Sequence, residues 1–199
     1  MIFCSNLLTI FRLLDQNFKD QNVEVVGAEF STLAISNFFT ENNLNFEVRK
    51  FSETSSSYHC CDKNLSILQG DFFEMIIGFE NYDFIWDRAA MIAINPCDRA
   101  KYAAKLNSLL TVDGTILLEA VHREEGRTGP PHTLTEQNLV EVFEPLGFAI
   151  EHLEHHEYIS DRLGKLEVHH YFIKRTWRKM EEMQDILPED IILPEISLS

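Results

Sequence analysis

The sequence predicts an α/β fold, with a mainly parallel sheet and helices on both faces. The main observation is that short, β-branched or apolar runs of strand length alternate with helix-length segments along the chain. A second observation is size: 199 residues with 45% apolar content can build one substantial hydrophobic core. No internal repeat is visible. The chain therefore carries the material of one α/β domain.

The first clear strand is followed directly by a helix. Residues 22–29 are β-branched and apolar and end on an acid, Glu29, which predicts a strand. Ser31 is a suitable N-cap for the helix, because its hydroxyl can accept a hydrogen bond from a first-turn amide. The apolar side of this helix consists of Ile35, Phe38 and Phe39.

Two short strands are predicted in the middle of the chain, over residues 65–68 and 83–86. Polar residues end them: Gln69, Gly70 and Asp71 after the first, Asp87 and Arg88 after the second. The preceding segment, residues 52–64, contains Cys60 and Cys61 and is predicted to be a loop from its polar composition.

A helix and a strand follow. Asn95 and Pro96 form an N-cap and first-turn pair for a helix that runs through Leu110. The pair Asp113 and Gly114 then predicts a turn into a buried strand, whose sequence is TILLEAV.

The last predicted elements are a helix and a strand, followed by an acidic tail. Thr133 and Glu136 have capping-box spacing before a helix that ends at Gly147, and residues 166–174 form the last strand. The tail contains two prolines and predicts a partly ordered extension. We therefore expect one domain over residues 1–177, followed by the tail over residues 178–199.

The charge balance limits the partners of this protein. A formal net charge of -15 argues against nucleic acid or an anionic membrane, since both attract a positive surface, and favours a small-molecule ligand. The four cysteines have no CxxC pairing, and no targeting or membrane-spanning segment is evident. We therefore expect a cytoplasmic protein with reduced thiols, and a monomer.

Histidines near the end of the chain are a candidate metal cluster. His152, His155 and His156 lie close together, and His169 and His170 follow. No cysteine or carboxylate set with ligand spacing joins them, and the first three lie in an acidic stretch. The sequence therefore favours a solvated surface, and we assign no metal ligands.

Polar residues at three strand ends are the candidate binding site, because ligands of such sheets bind outside the carboxyl ends of the strands. Glu29 could accept hydrogen bonds from a ribose diol, Gly70 would let a ligand approach the backbone, and Asp71 could accept from an amino group. Structural alternatives exist for each. An acid before a helix is favourable without a ligand, a Gly-Asp pair makes an ordinary turn, and Asp87 with Arg88 could be an exposed ion pair.

The chain resembles the thiopurine S-methyltransferase family over residues 23–174. The matching segments, in the family's order and spacing, are VVGAE, FFTENNL, GDFF, YDFIWDRAAMIAINPCDRAKYAAKL and GPPHTL. The segment IWDRAA followed by IxPxxR is the most specific of them. The resemblance implies a Rossmann-like class I methyltransferase fold, with S-adenosylmethionine as the cofactor.

The resemblance also implies roles for the strand-end residues. Glu29 would hold the cofactor ribose, Gly70 and Asp71 would lie beside the adenine, and Arg88 would line the cofactor and substrate cleft with Asp87 as its orienting partner. The implied reaction is methyl transfer to the sulfur of an aromatic or heterocyclic thiol. Because the sulfonium methyl is already activated, positioning can supply most of the acceleration, and no catalytic residue is assigned.

The N-terminus departs from the family pattern. Residues 1–4 match only the end of the family's first strand, and Ser5 stands where the family has glycine. We expect an incomplete central strand, a helix after Ser5 with Leu7 and Phe11 on its apolar side, and a pocket left open. The alternative function is therefore a non-catalytic methyltransferase-fold protein with an incomplete cofactor site.

Overall fold

The computed structural model describes residues 2–4, 23–75, 82–123, 129–160 and 164–176. Within these residues the strands are β1 (Ile2–Cys4), β2 (Val25–Glu29), β3 (Phe46–Lys50), β4 (Ser56–Cys60), β5 (Leu65–Gln69), β6 (Tyr82–Arg88), β7 (Leu110–Arg123), β8 (Phe148–Ser160) and β9 (Gly164–Arg175). The helices are α1 (Thr32–Glu41), α2 (Arg99–Leu109) and α3 (Glu136–Phe143). Two 3-10 turns, Pro96–Asp98 and Glu144–Leu146, adjoin α2 and α3.

All described strands form one sheet in the order β3-β4-β5-β2-β1-β6-β7-β9-β8. The five central strands, from β5 to β7, are parallel to one another. The pairs at both margins are antiparallel. An α/β sheet is observed as predicted, but parallel pairing is confined to its centre, so the expectation of a mainly parallel sheet is not confirmed for the whole.

The predicted central position of the first strand is observed. β1 pairs in parallel with β2 on one side and with β6 on the other, with Cys4 opposite both Gly27 and Trp86. The predicted helix after Ser5 and the acidic tail lie outside the described residues.

Helices cover both faces of the sheet, as predicted. On one face α1 packs Ile35, Phe38 and Phe39 against Val25 and Ile67. On the other face α2 and α3 pack against the central strands, with Leu106 and Phe143 completely buried there. Val25 and Val26 point to opposite clusters because successive strand side chains alternate between faces.

The helix starts follow local capping chemistry. The Ser31 hydroxyl accepts from the Ala34 amide at 3.2 Å, which confirms that predicted cap. The capping box before α3 is formed by Thr135 and Asn138, each accepting from the other's backbone amide, so the prediction of Thr133 and Glu136 was wrong. The Thr133 hydroxyl instead accepts from the Arg123 amide. Capping-box spacing alone did not distinguish the pair Thr133 and Glu136 from the pair Thr135 and Asn138.

Three strands were not predicted: β3, β4 and β8. The assignment of residues 52–64 to a loop was wrong, because Ser56–Cys60 forms β4 between β3 and β5. Every residue of β3 is exposed, and β8 is exposed from Glu151 to Ile159, although Phe148 at its start is buried. Largely exposed strands show little apolar alternation, so their sequence does not reveal them. Pairing with a neighbouring strand is what identifies them.

The predicted turn at Asp113 and Gly114 lies inside the continuous strand β7. A register shift occurs there, since Tyr82 pairs with Leu110 and Phe84 pairs with Thr115. A Cβ atom on Gly114 would lie 2.7 Å from Leu110 Cδ2 and 2.9 Å from the Tyr82 carbonyl oxygen. The glycine is therefore needed for close packing within a bulge, not for a reversal of the chain.

Candidate active site

A cavity of about 340 Å³ lies at the carboxyl ends of the central strands. It is formed by the end of β2, the end of β5, the segment after β6 and one residue of α2. Its lining consists of Ala28, Glu29, Phe30, Gly70, Phe72, Met75, Ala90, Ala93, Ile94 and Tyr102. The walls are thus mostly apolar, with Glu29 as the carboxylate, which is the usual composition of a small-molecule site.

Glu29 is held at the rim of this cavity by the start of α1. Its Oε1 accepts a hydrogen bond from the Ser31 amide at 2.8 Å, while its backbone carbonyl accepts from the Gly70 amide at 3.1 Å. The structural alternative for Glu29 is therefore observed as well, because the carboxylate does help to begin the helix. One contact uses one of the acceptor positions of a carboxylate and leaves capacity for a ligand diol.

Gly70 occupies a position that requires glycine. Its φ of +148° is rare for other residues, and a Cβ atom would lie 3.2 Å from the Thr54 carbonyl oxygen. The backbone of Gly70 therefore forms part of the cavity wall without a side chain between it and a ligand.

Asp71 faces a second, larger cavity of about 600 Å³. The two cavities share Phe30 and Met75 in their linings, and both include residues at the end of β5 or directly after it. The Asp71 Oδ1 accepts from the Phe73 amide at 2.8 Å, so the carboxylate also closes the turn after β5. Glu29 and Gly70 are thus brought into one cavity, with Asp71 in the neighbouring one.

Arg88 is in a different environment from the one predicted. β6 continues through Asp87 and Arg88, so the strand does not stop before them as expected. The Arg88 Nε lies 3.4 Å from Glu119 Oε2 on β7, its direct neighbour in register. Arg88 does not belong to the lining of either cavity described above. Its observed ion-pair partner is Glu119, which sequence reasoning missed although it is the only acid in TILLEAV.

Asp87 is buried and caps the turn that follows β6. Its Oδ1 accepts from the amides of Ala90 at 3.2 Å and Met91 at 3.1 Å. The proposed role of Asp87 as the orienting partner of Arg88 is therefore replaced by a capping role, because alternation in the strand directs the two side chains to opposite faces. Burial raises the pKa of Asp87 to about 6, against the opposing effects of the Met91 amide and the Tyr102 hydroxyl.

The turn capped by Asp87 positions the part of the smaller cavity's lining that follows β6. Ala89 has a φ of +68°, a left-handed conformation that is uncommon for alanine. This conformation reverses the chain directly after Arg88 and places Ala90, Ala93 and Ile94 in the lining. A strained residue held by a buried cap is a feature often found at functional sites.

The fold identifies the structural class of the protein. The structure is similar to that of the 1,6-didemethyltoxoflavin-N1-methyltransferase of Burkholderia thailandensis, which was solved with S-adenosylhomocysteine. The TM-score is 0.56 at 14% sequence identity, covering 88% of this chain and 70% of that one. This similarity shows the fold, which is that of the class I methyltransferases.

Sequence comparison identifies the family. Residues 16–183 match the model of the thiopurine S-methyltransferase family, and the chain belongs to that family. It is 35% identical over 128 residues to a probable thiopurine S-methyltransferase of Danio rerio, and 31% identical over 131 residues to the thiopurine S-methyltransferase of Oryctolagus cuniculus. These alignments cover 62% and 64% of this chain but 55% and 54% of the relatives. The chain thus spans about half the length of the relatives it matches.

Membership confirms the resemblance predicted from the sequence, with S-adenosylmethionine as the cofactor of the family. Among the helices of the described segments, none is long and apolar enough to cross a membrane.

Proposed function

We propose that this protein binds S-adenosylmethionine and transfers its methyl group to the sulfur of an aromatic or heterocyclic thiol, such as a thiopurine. The observation that carries the proposal is the shared cavity of Glu29 and Gly70 at the carboxyl ends of β2 and β5. In this proposal Glu29 holds the ribose hydroxyls, and Gly70 and Asp71 lie beside the adenine. The family match supports both the cofactor and the reaction class.

The chemistry requires little of the protein beyond positioning. When bound, the cofactor would supply an activated sulfonium methyl group to the substrate thiolate and would leave as S-adenosylhomocysteine. Holding the two reactants in line can supply most of the acceleration. The side chains of Phe72, Ala90 and Tyr102 make the cavity wall largely apolar.

We assign Arg88 to the substrate side of the site. Its side chain is partly exposed, and it ends the strand that leads into the turn carrying Ala90 and Ile94 of the cavity wall. The planar guanidinium fork suits a thiolate-bearing heterocycle or another substrate anion. The alternative, a non-catalytic protein with an incomplete cofactor site, is not favoured by any observation on the described residues.

Calorimetric titration of the 199-residue chain with S-adenosylhomocysteine tests the cofactor site. We expect one site per chain, and the Glu29→Gln variant should bind roughly 10- to 150-fold more weakly, the equivalent of losing a hydrogen bond to a charged group. The matched control is Glu24→Gln, just before the opposite end of β2, which should bind like the wild type. Equal affinities of the two variants, or no binding by the wild type, would reject the site.

Methyl transfer to a thiopurine tests the role of Arg88. The Arg88→Lys variant keeps the charge but loses the planar fork, so turnover should fall. Its Tm should change little, because a partly exposed ion pair contributes only about 0–1 kcal/mol. Unchanged turnover with a lowered Tm would make Arg88 a structural residue.

A further inference from the structure

Four histidines from three adjacent strands meet on the sheet face that carries α2 and α3. They are His122 on β7, His169 on β9, and His152 and His155 on β8. His122 lies two residues beyond Ala120, which is buried in the core cluster of that face. The ring centroids of His122 and His169 are 4.1 Å apart, and those of His155 and His169 are 5.1 Å apart.

The inner part of this cluster contains a set of three ligand-type residues, His122, Glu167 and His169, named here the triad. Glu167 lies directly opposite His122 across the β7–β9 pairing, and His169 is two residues further along β9 on the same face. One ligand atom of each residue lies within 4.8 Å of the others. The His169 Nε2 and Glu167 Oε2 atoms are 3.7 Å apart.

Two nitrogens of the triad are buried without a hydrogen bond, although His169 Nε2 lies 3.7 Å from Glu167 Oε2. His122 Nε2 and His169 Nε2 have no hydrogen-bond partner among the residues that the structure describes. Burying a polar nitrogen without a partner costs free energy, and such atoms in a native structure require an explanation. A ligand that accepts a lone pair from each nitrogen would explain why these two atoms are buried without hydrogen bonds.

A neighbouring histidine orients the ring of His169. Its Nδ1 lies 3.2 Å from His152 Nε2. A proton on Nδ1 that is donated to His152 leaves the lone pair on Nε2, and a hydrogen bond from the second ring nitrogen is the usual way in which a metal-bound histidine is oriented.

We propose that His122, Glu167 and His169 bind a divalent transition-metal ion of the zinc type. Two imidazoles and one carboxylate are a common zinc ligand set, with a fourth position for water. Donors placed about 2.0–2.1 Å from a tetrahedral ion lie roughly 3.4 Å from one another, so the observed 3.7 Å between His169 and Glu167 needs little adjustment. The bound ion would join β7 to β9.

An outer set, His152, His155 and His169, has comparable spacing. His152 and His155 are exposed, as the sequence predicted for this stretch, and water can satisfy their free nitrogens. The buried unpaired nitrogen of His122 favours the triad instead. Sequence reasoning missed the triad because His122 is distant from the other histidines along the chain and is brought to them only by the sheet.

Titration of the 199-residue chain with Zn²⁺ alone, followed by calorimetry, tests this proposal. We expect one ion per chain with micromolar or tighter affinity, and a Tm that rises on addition of zinc. The Glu167→Gln and His122→Ala variants should each lose at least the 10- to 100-fold in affinity that loss of a supporting residue costs. The visible absorption of bound Co²⁺ should show a tetrahedral environment in the wild type and change in Glu167→Gln.

Two controls separate the triad from other zinc-binding groups. His59→Ala changes an exposed histidine on β4, and the Cys61→Ser, Cys97→Ser double variant removes two exposed thiols, so both should bind zinc like the wild type. Thermal unfolding without zinc establishes that each variant is folded. Loss of binding in either control, or millimolar affinity in the wild type, would overturn the proposal. So would a loss in His155→Ala with full binding by His122→Ala, because the outer set would then hold the ion.

Discussion

Replacement of Asp87 by asparagine should stabilise the protein above pH 6 and have little effect near pH 4. Asp87 is almost completely buried, so its carboxylate is largely removed from solvent. Asparagine keeps an oxygen for the amides of Ala90 and Met91 and carries no charge. The variant thus removes a buried charge while it conserves the cap.

The magnitude follows from the pKa of Asp87, which burial raises from 3.8 to about 6. A folded-state pKa above the unfolded value means that the folded chain binds the extra proton between these two pH values. The contribution of Asp87 to the unfolding free energy is therefore fully present below pH 3.8. It is lost as pH rises through about 6. At 1.36 kcal/mol per pH unit the full loss is about 3 kcal/mol.

Urea unfolding of wild type and Asp87→Asn at several pH values between 4 and 8 provides the measurement. The difference in unfolding free energy should grow from near zero to at most about 3 kcal/mol in favour of the variant, with most of the change between pH 4 and 6. Asp113→Asn, an exposed carboxyl on β7, is the matched control and should show a small difference at every pH. A constant difference for Asp87→Asn, or a variant that is less stable at pH 8 than the wild type, would refute this reasoning.

Two further substitutions test local features of the fold. Gly70→Ala should destabilise by at least about 1 kcal/mol in thermal unfolding, because of its positive φ. Its loss of unfolding free energy should exceed that of Gly147→Ala, because Gly147 has a positive φ but nothing within 4 Å of the added Cβ. Equal losses in the two variants would show that the close approach to the Thr54 carbonyl costs nothing. Thr135→Ala should lose about 1 kcal/mol with the N-cap of α3, whereas Thr135→Ser should retain it. A neutral Thr135→Ala would mean that solvent replaces the cap.

Elements with a buried face could be predicted from the sequence. Residues 25–29 and 65–69 are strands and the segment after Ser31 is a helix, as their apolar patterns and the cap indicated. Hydrophobic burial selects these patterns residue by residue, so they are visible before folding. Glu29 and Gly70 were also identified correctly as residues at neighbouring strand ends, and the structure brings them into one cavity. Their ligand roles stay predictions.

The contacts made across the sheet were decided by tertiary structure alone. β3 and most of β8 are exposed, so their apolar pattern is weak and pairing with β4 and β9 makes them strands. The length of β6 separated Asp87 from Arg88, since one more residue of strand directs each side chain to a different face. Arg88 then met Glu119 through the register of β6 and β7, which no local pattern encodes.

What the sequence by itself determined is thus the family, the alternation of strands and helices, and the residue types at the strand ends. Each of these depends on neighbours in the chain or on a motif of fixed spacing. Only the tertiary structure decided the partner of Arg88, the capping role of Asp87 and the meeting of His122 with His169. These depend on the register between strands that are distant in sequence, and register is set by the packing of the whole sheet.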